Sequence, residues 1–148
     1  MRIEKDFKEF IGLLNKHNVR YLIVGGYAFS FHAEPRFTKD IDFFVDGSEE
    51  NAGRLLKVLS AFGFKELGLK KDDFIKRGDV VQLGVPPVRI DLMTSVTGIG
   101  FASAWKNRVT GKFGGISVYF ISKADLIRNK AAVGRKQDLS DIEKLQRI

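Results

Sequence analysis

The chain has 148 residues, a net charge of +7, 44% apolar and 29% charged residues, no cysteine and two histidines, His17 and His32. That size suits one domain with a real core, and the mix is that of an ordinary globular protein. Disulfides, thiolate–zinc sites and histidine-rich metal sites are excluded, and no apolar run approaches the roughly 20 residues of a membrane span.

The N-terminus MRIEKDFKEF is charged and lacks the apolar core of a signal peptide, which reads as a soluble cytoplasmic protein. Phe7, Phe10, Ile11 and Leu14 recur at helical spacing and predict an amphipathic helix over residues 3–18. Residues 21–24 are a short apolar run ending at Gly25, read as a strand. Residues 26–32 are helix-compatible, and Pro35 favours a stop just before it. Residues 40–45 form the second strand. Ser48 is an N-cap followed by two glutamates, and opens a helix to about residue 62. Leu55, Leu56, Val58 and Leu59 supply its apolar face.

Residues 73–77, 80–85 and 88–93 read as strands, with Pro86 and Pro87 in a turn. Residues 101–108 predict a short helix and 116–121 another strand. A helix follows over residues 122–133, opened by a capping-box-like Ser122 and Asp125 and ended by Gly134. Residues 139–147 form a last short helix. Neither repeat nor linker interrupts the chain, so residues 1–148 fit a single α/β domain.

The chemistry-bearing stretch is VGGYAFSFHAEPRFTKDIDFFVD, residues 24–46. Side chains alternate along a strand, so Asp40, Asp42 and Phe44 share one face while Ile41, Phe43 and Val45 share the core face. The acid face then looks into a cleft or solvent. RIDLM repeats the pattern, with Asp91 between Ile90 and Leu92. If the two strands pair, three carboxylates converge. At an effective dielectric of about 20, two unit charges about 4 Å apart repel by roughly 4 kcal/mol. A divalent cation reverses that sign, and an all-oxygen donor set suits Mg²⁺ or Mn²⁺. Two such ions hold both reacting oxygens of a phosphoryl transfer. The bland alternative is a solvated strand face, which does not explain why Asp, disfavoured in strands, recurs there.

Gly25 and Gly26 stand where a strand becomes a helix. Free N–H groups and the helix dipole attract anions there, and glycine lets a phosphate approach the backbone. Adjacent glycines alone more often mark a tight turn. Beside the two acids, they place an anion site next to a cation site, which is what handling a nucleoside triphosphate requires.

GG, a spacer of thirteen residues, DID and a later lone Asp on a strand resemble the DNA polymerase beta nucleotidyltransferase superfamily. RFTKDIDFFV, AWKNR and ISKADLIRNKAAVGRKQDLSDIEKL are similar to its small prokaryotic branch, which includes minimal nucleotidyltransferases and AbiEii-type toxins. The resemblance runs over nearly the whole chain. It implies an α+β fold, a mixed β-sheet flanked by helices, and Mg²⁺-dependent transfer of a nucleoside monophosphate from an NTP with release of pyrophosphate. It further implies that Asp40 and Asp42 bind the metals, that Asp91 completes the site and helps activate the acceptor hydroxyl, and that Gly25 and Gly26 hold the triphosphate. Many relatives carry Ser after the first Gly. This chain has Gly26, so backbone N–H groups serve there.

Arg36 and Lys39 precede the acid strand and either face the triphosphate or belong to a solvated loop. Thr38 shapes the turn. Lys130 lies beside an apolar helix face; it snorkels outward or, as the resemblance implies, contacts phosphate or base. Arg135, Asp138 and Asp141 read as an ordinary surface salt-bridge set, His32 as a helix-end residue and Trp105 as core. The positive charge favours polyanions, although spread-out lysines and arginines serve solubility equally well.

The acceptor stays open. A tRNA end, a protein hydroxyl within a toxin–antitoxin or phage-defence pair, and a small antibiotic are the candidates. A substrate site completed by a homodimer or an antitoxin/toxin partner is the expectation, as no large substrate domain follows. The reading from another class is a non-catalytic nucleotide-sensing or RNA-binding module on the same fold. The presence of all three acids argues against it.

Overall fold

The computed structural model describes residues 2–75, 78–85 and 88–147, with side chains from Lys5 onward. The elements in chain order are α1 (Arg2–Lys16), β1 (Tyr21–Val24), α2 (Gly25–His32), β2 (Asp40–Val45), α3 (Glu49–Phe62), β3 (Val80–Val85), β4 (Val88–Met93), α4 (Phe101–Lys106), β5 (Val109–Phe113), β6 (Ile116–Phe120), α5 (Lys123–Val133) and α6 (Lys136–Gln146). The strands form one mixed sheet in the order β3-β4-β2-β1-β6-β5. β2 pairs antiparallel with β1 and parallel with β4, and β1 pairs parallel with β6. The antiparallel pairs β3–β4 and β5–β6 form the two ends of the sheet. This is the mixed, helix-flanked α+β sheet that the resemblance implied.

Period-2 burial fixes the register. Ile41, Phe43 and Val45 are fully buried, and Phe43 meets Phe10 of α1 with ring centroids 5.7 Å apart. Ile90 and Leu92 continue that apolar layer on β4. Each such side chain contributes about 1.5–3 kcal/mol on burial, so a one-residue slip of β2 is prohibitive. The acids are thereby held on the opposite face.

Local capping follows the sequence closely. Ser48 Oγ accepts the Asn51 N–H at 3.2 Å, and Gly63 ends α3 at φ 98°. Ser122 Oγ accepts the Asp125 N–H at 3.1 Å at the start of α5. Buried Asn51 also accepts the Arg20 N–H at 2.8 Å and donates to the Arg20 and Asp46 carbonyls, tying the entry of β1 to the exit of β2.

The structure departs from the sequence reading at residues 73–75, at β5, at Trp105 and at Asp138 and Asp141. Of the expected strand 73–77, the described residues 73–75 are not extended: Lys71–Phe74 is a single 3₁₀ turn, because Asp73 bonds the local backbone instead (Lys70 N–H to Asp73 Oδ2, 2.7 Å) and Phe74 is buried. Residues 76–77 and the Pro86–Pro87 turn lie outside the described residues. β5 went unrecognised because Gly111 interrupts it. That glycine makes room for the stacked Phe31–Phe120 pair, since a Cβ there would stand 2.7 Å from Phe31 and 2.8 Å from Phe120. Trp105 is half-buried rather than central to the core, packed between Phe101 and the Arg108 guanidinium.

The last difference concerns Asp138 and Asp141, which are buried rather than on the surface. Asp138 accepts the Arg135 N–H and so caps α6. Arg36 forks onto both oxygens of Asp141, with Nη1–Oδ2 at 2.9 Å, while Lys130 Nζ and Gln137 Nε2 each reach it at 2.8 Å. Two cations 105 and 11 positions away along the chain thus share one carboxylate. Among the described residues, no helix is long and apolar enough to cross a membrane.

Burial raises the Asp141 carboxyl, but hydrogen bonds from Arg36, Lys130 and Gln137 outweigh it and hold it well below the usual range. A depressed carboxylate contributes stability above its unfolded value, 3.8, and loses it as pH falls. Asp141→Ala is expected to cost about 3 kcal/mol in urea unfolding, because it strands two partly buried cations. Asp141→Asn is expected to flatten the stability loss between about pH 5 and about pH 2.

Candidate active site

β2 and β4 run parallel, with Asp42 opposite Asp91 and Asp40 opposite Arg89. Neighbouring strands are about 4.8 Å apart, so all four side chains crowd one patch. Asp91 is buried and Asp42 half-buried. Burial, the Asp91 charge, a hydrogen bond shared with Asp91 and the Asp40 charge push the Asp42 carboxyl up to about 7, against the lowering effect of Arg89. Asp40 Oδ1 is buried with no hydrogen-bond partner, and is the one such side-chain atom among the described residues.

Arg89 is the site residue that the acid pattern did not bring out. Its Nε and Nη2 each lie 3.0 Å from one oxygen of Asp91, and its Nη1 lies 3.6 Å from Asp40 Oδ2. The available signal was its place two residues before Asp91, on the same strand face.

α2 abuts the acids. Gly25 sits at φ 65°, and a Cβ on it would overlap Asp42 Oδ2. Both facts demand glycine. At Gly26 a Cβ would stand 2.9 Å from the Thr38 methyl, so Thr38 does more than shape its turn. It covers Gly26 and donates to the Asp40 carbonyl at 3.3 Å. No side chain caps α2 and no acid lies in its first turn, which leaves its N–H groups for an anion.

Lys39 is exposed beside Asp40, with no ion pair among the described residues. Arg36 and Lys130 are brought together, but on Asp141, with Arg36 also lying 3.8 Å over the Phe29 ring. Their charges brace the loop between α2 and β2 against α5 and α6.

An all-carboxylate set with an orphaned oxygen and a like-charge pair fits a hard divalent cation. Among the described residues, no three acids or histidines close on a single point. The physical reason is repulsion: Arg89 stands between Asp40 and Asp91, and burial with the neighbouring carboxylates raises the Asp42 carboxyl.

A mixed sheet with a glycine-led helix after β1 and acids on the parallel β2–β4 pair defines a nucleotidyltransferase fold. The chain belongs to the family described as nucleotidyltransferase of unknown function (DUF6036), whose model matches residues 1–147, and it is an enzyme of the nucleotidyltransferase class. In fold it is similar to the antibiotic-resistance factor ANT(2'')-Ia (16% identity, TM-score 0.59, 96% of this chain and 81% of that one). It is also similar to the lincosamide antibiotic adenylyltransferase LnuA in its lincomycin-bound structure (16% identity, TM-score 0.56, 96% and 95%). An antigenic nucleotidyltransferase-like protein from Paracoccidioides brasiliensis is a third (17% identity, TM-score 0.54, 96% and 75%). No curated protein matches in sequence.

The raised Asp42 carboxyl binds its proton more tightly in the folded chain than in the unfolded one. Stability therefore falls as pH rises from 3.8 to about 7, as Asp42 is forced to ionise. Asp42→Asn is expected to raise the melting temperature at about pH 8 in chelator by a few degrees. The same variant is expected to lose the stabilisation that Mg²⁺ gives the native chain, read by the same thermal scan. Gly25→Ala is expected to lower the melting temperature by at least as much, in the opposite direction.

Proposed function

We propose that the chain transfers a nucleoside monophosphate from an NTP to an acceptor hydroxyl, with Mg²⁺ or Mn²⁺ held by Asp40, Asp42 and Asp91. The observation that carries this is the register of Asp42 against Asp91 with the Gly25 backbone packed on Asp42. It sets an anion-binding helix end against a cation-binding pair. When bound, two divalent ions would neutralise the triphosphate and lower the acceptor hydroxyl's pKa.

The chain's own groups supply the rest. N–H groups at Gly25 and Gly26 take phosphate oxygens, and exposed Lys39 adds positive potential at the mouth. Arg36 and Lys130, tied through Asp141, hold the loop carrying Thr38 and Lys39 in place beneath the nucleotide. Asp91 receives the acceptor's proton as its oxygen bonds to the α-phosphorus. The bond from that phosphorus to the bridging oxygen breaks, and pyrophosphate leaves. Rate enhancement comes from positioning and electrostatics.

The net charge of +7 favours a polyanionic acceptor, a tRNA end, or a protein hydroxyl modified within a toxin–antitoxin or phage-defence pair. The fold likeness to LnuA and ANT(2'')-Ia supports a second reading, a small hydroxylated antibiotic. Incubation with each labelled NTP, Mg²⁺, total RNA, lysate and an antibiotic panel is expected to label one acceptor class. Asp42→Ala is expected to reduce labelling about 10³-fold or more. Undiminished labelling by that variant would remove the metal assignment. NTP binding with no pyrophosphate release across the panel would instead favour a nucleotide-sensing module.

A further inference from the structure

Arg89 touches two of the three acids, through a bidentate pair on Asp91 and a longer contact on Asp40. A fork of this kind uses both Asp91 oxygens. The hydrogen bond shared with Asp42 draws on Asp91 as well, so a divalent cation seated there meets a carboxylate whose lone pairs and charge are already largely engaged. The guanidinium and the metal therefore compete for one carboxylate, and Asp40 Oδ1, turned inward without a partner, is the oxygen that Arg89 does not reach. We infer that Arg89 is the site's resident cation, displaced when metal enters, and that its displacement couples metal binding to NTP binding.

The coupling follows from where a displaced guanidinium goes. Arg89 lies at the rim, with 31% of its side chain exposed. A bare metal ion must break the Arg89–Asp91 pair and leave the guanidinium with water and, at most, its longer contact to Asp40. A metal–NTP complex brings a phosphate with it. The carboxylates then exchange arginine for metal, and the arginine exchanges carboxylate for phosphate. The site consequently resists free metal and accepts the metal–nucleotide complex, and by reciprocity each ligand tightens the other. This inference rests on the proposed reading that the three acids take metal.

Calorimetric titration of the full chain tests it, with Mg²⁺ alone, and with a non-hydrolysable ATP analogue at saturating Mg²⁺. Arg89→Gln is expected to bind Mg²⁺ alone about tenfold tighter than the native chain, within the ordinary range of coupling energies. It is expected to bind the analogue about tenfold more weakly. Arg89→Lys, which keeps charge but not the fork, is expected to tighten Mg²⁺ binding and retain part of the analogue affinity. The two affinities moving in opposite directions is the signature. Mg²⁺ binding to Arg89→Gln that is no tighter than native overturns the inference while leaving the metal site intact. Absence of Mg²⁺ binding by the native chain, with or without analogue, overturns both the inference and the proposed function. A readout on the unaltered chain guards against a misfolded variant. The Arg89 Nε–H resonance is expected to shift on adding Mg²⁺ with the analogue, as its acceptor changes from carboxylate to phosphate, and an unmoved signal contradicts displacement.

Discussion

Two carboxylates facing each other across a parallel strand pair are the constraint on which the site depends. Asp42 and Asp91 cannot separate, because Ile41, Phe43, Ile90 and Leu92 hold the other face of the same two strands in the core. Slipping either strand by one residue would move those apolar side chains into water. The hydrophobic layer therefore stores an electrostatic cost, and the remaining site features offset it. Burial and neighbouring charge favour the protonated form of Asp42, a guanidinium forks onto Asp91, and the Gly25 backbone presses against Asp42 at the positive end of α2. On the proposed reading, bound metal would replace the proton and the guanidinium, whereas the backbone at Gly25 stays in place to take phosphate.

A second carboxylate organises the opposite kind of site. Asp141 gathers Arg36, Lys130 and Gln137, and through them ties the loop after α2 to α5 and α6. That loop leads into Thr38, which covers Gly26 and bonds to the Asp40 carbonyl. The C-terminal helices are in this way linked to the geometry of the acid strand. A partly compensated anion cluster on β2–β4 and a fully ion-paired one on α6 use the same residue type in different ways, the second of them to brace the fold.

The strand acids were legible because alternation is a strong signal: an aspartate between buried residues has to face somewhere else. Gly25 was legible for a related reason, standing at a strand-to-helix junction. Arg89, Asp141 and β5 were not. Arginine on an exposed strand face is ordinary, and only the register against Asp40 shows that it enters the acid cluster. Asp141 sits in a helix rich in charge, and its partners are fixed by tertiary packing at a separation that periodicity does not see. Gly111 in β5 reads as a strand breaker until the stacked phenylalanines it accommodates are known. The turn at Lys71–Phe74 shows the reverse error, with a local side-chain cap overriding an apparent strand pattern.

Membership in a nucleotidyltransferase family places the chain in a class whose chemistry suits this acid face, and the fold is one shared with solved nucleotidyltransferase structures. Under the proposed function, Asp40, Asp42 and Asp91 hold the divalent cations. Anomalous diffraction from crystals grown with Mn²⁺ and a non-hydrolysable NTP analogue reads this out. Mn²⁺ peaks are expected about 2.0–2.2 Å from oxygens of these three residues, with the triphosphate against the start of α2. Mn²⁺ absent from the β2–β4 acid face, or bound there without contact to Asp42 or Asp91, would contradict it.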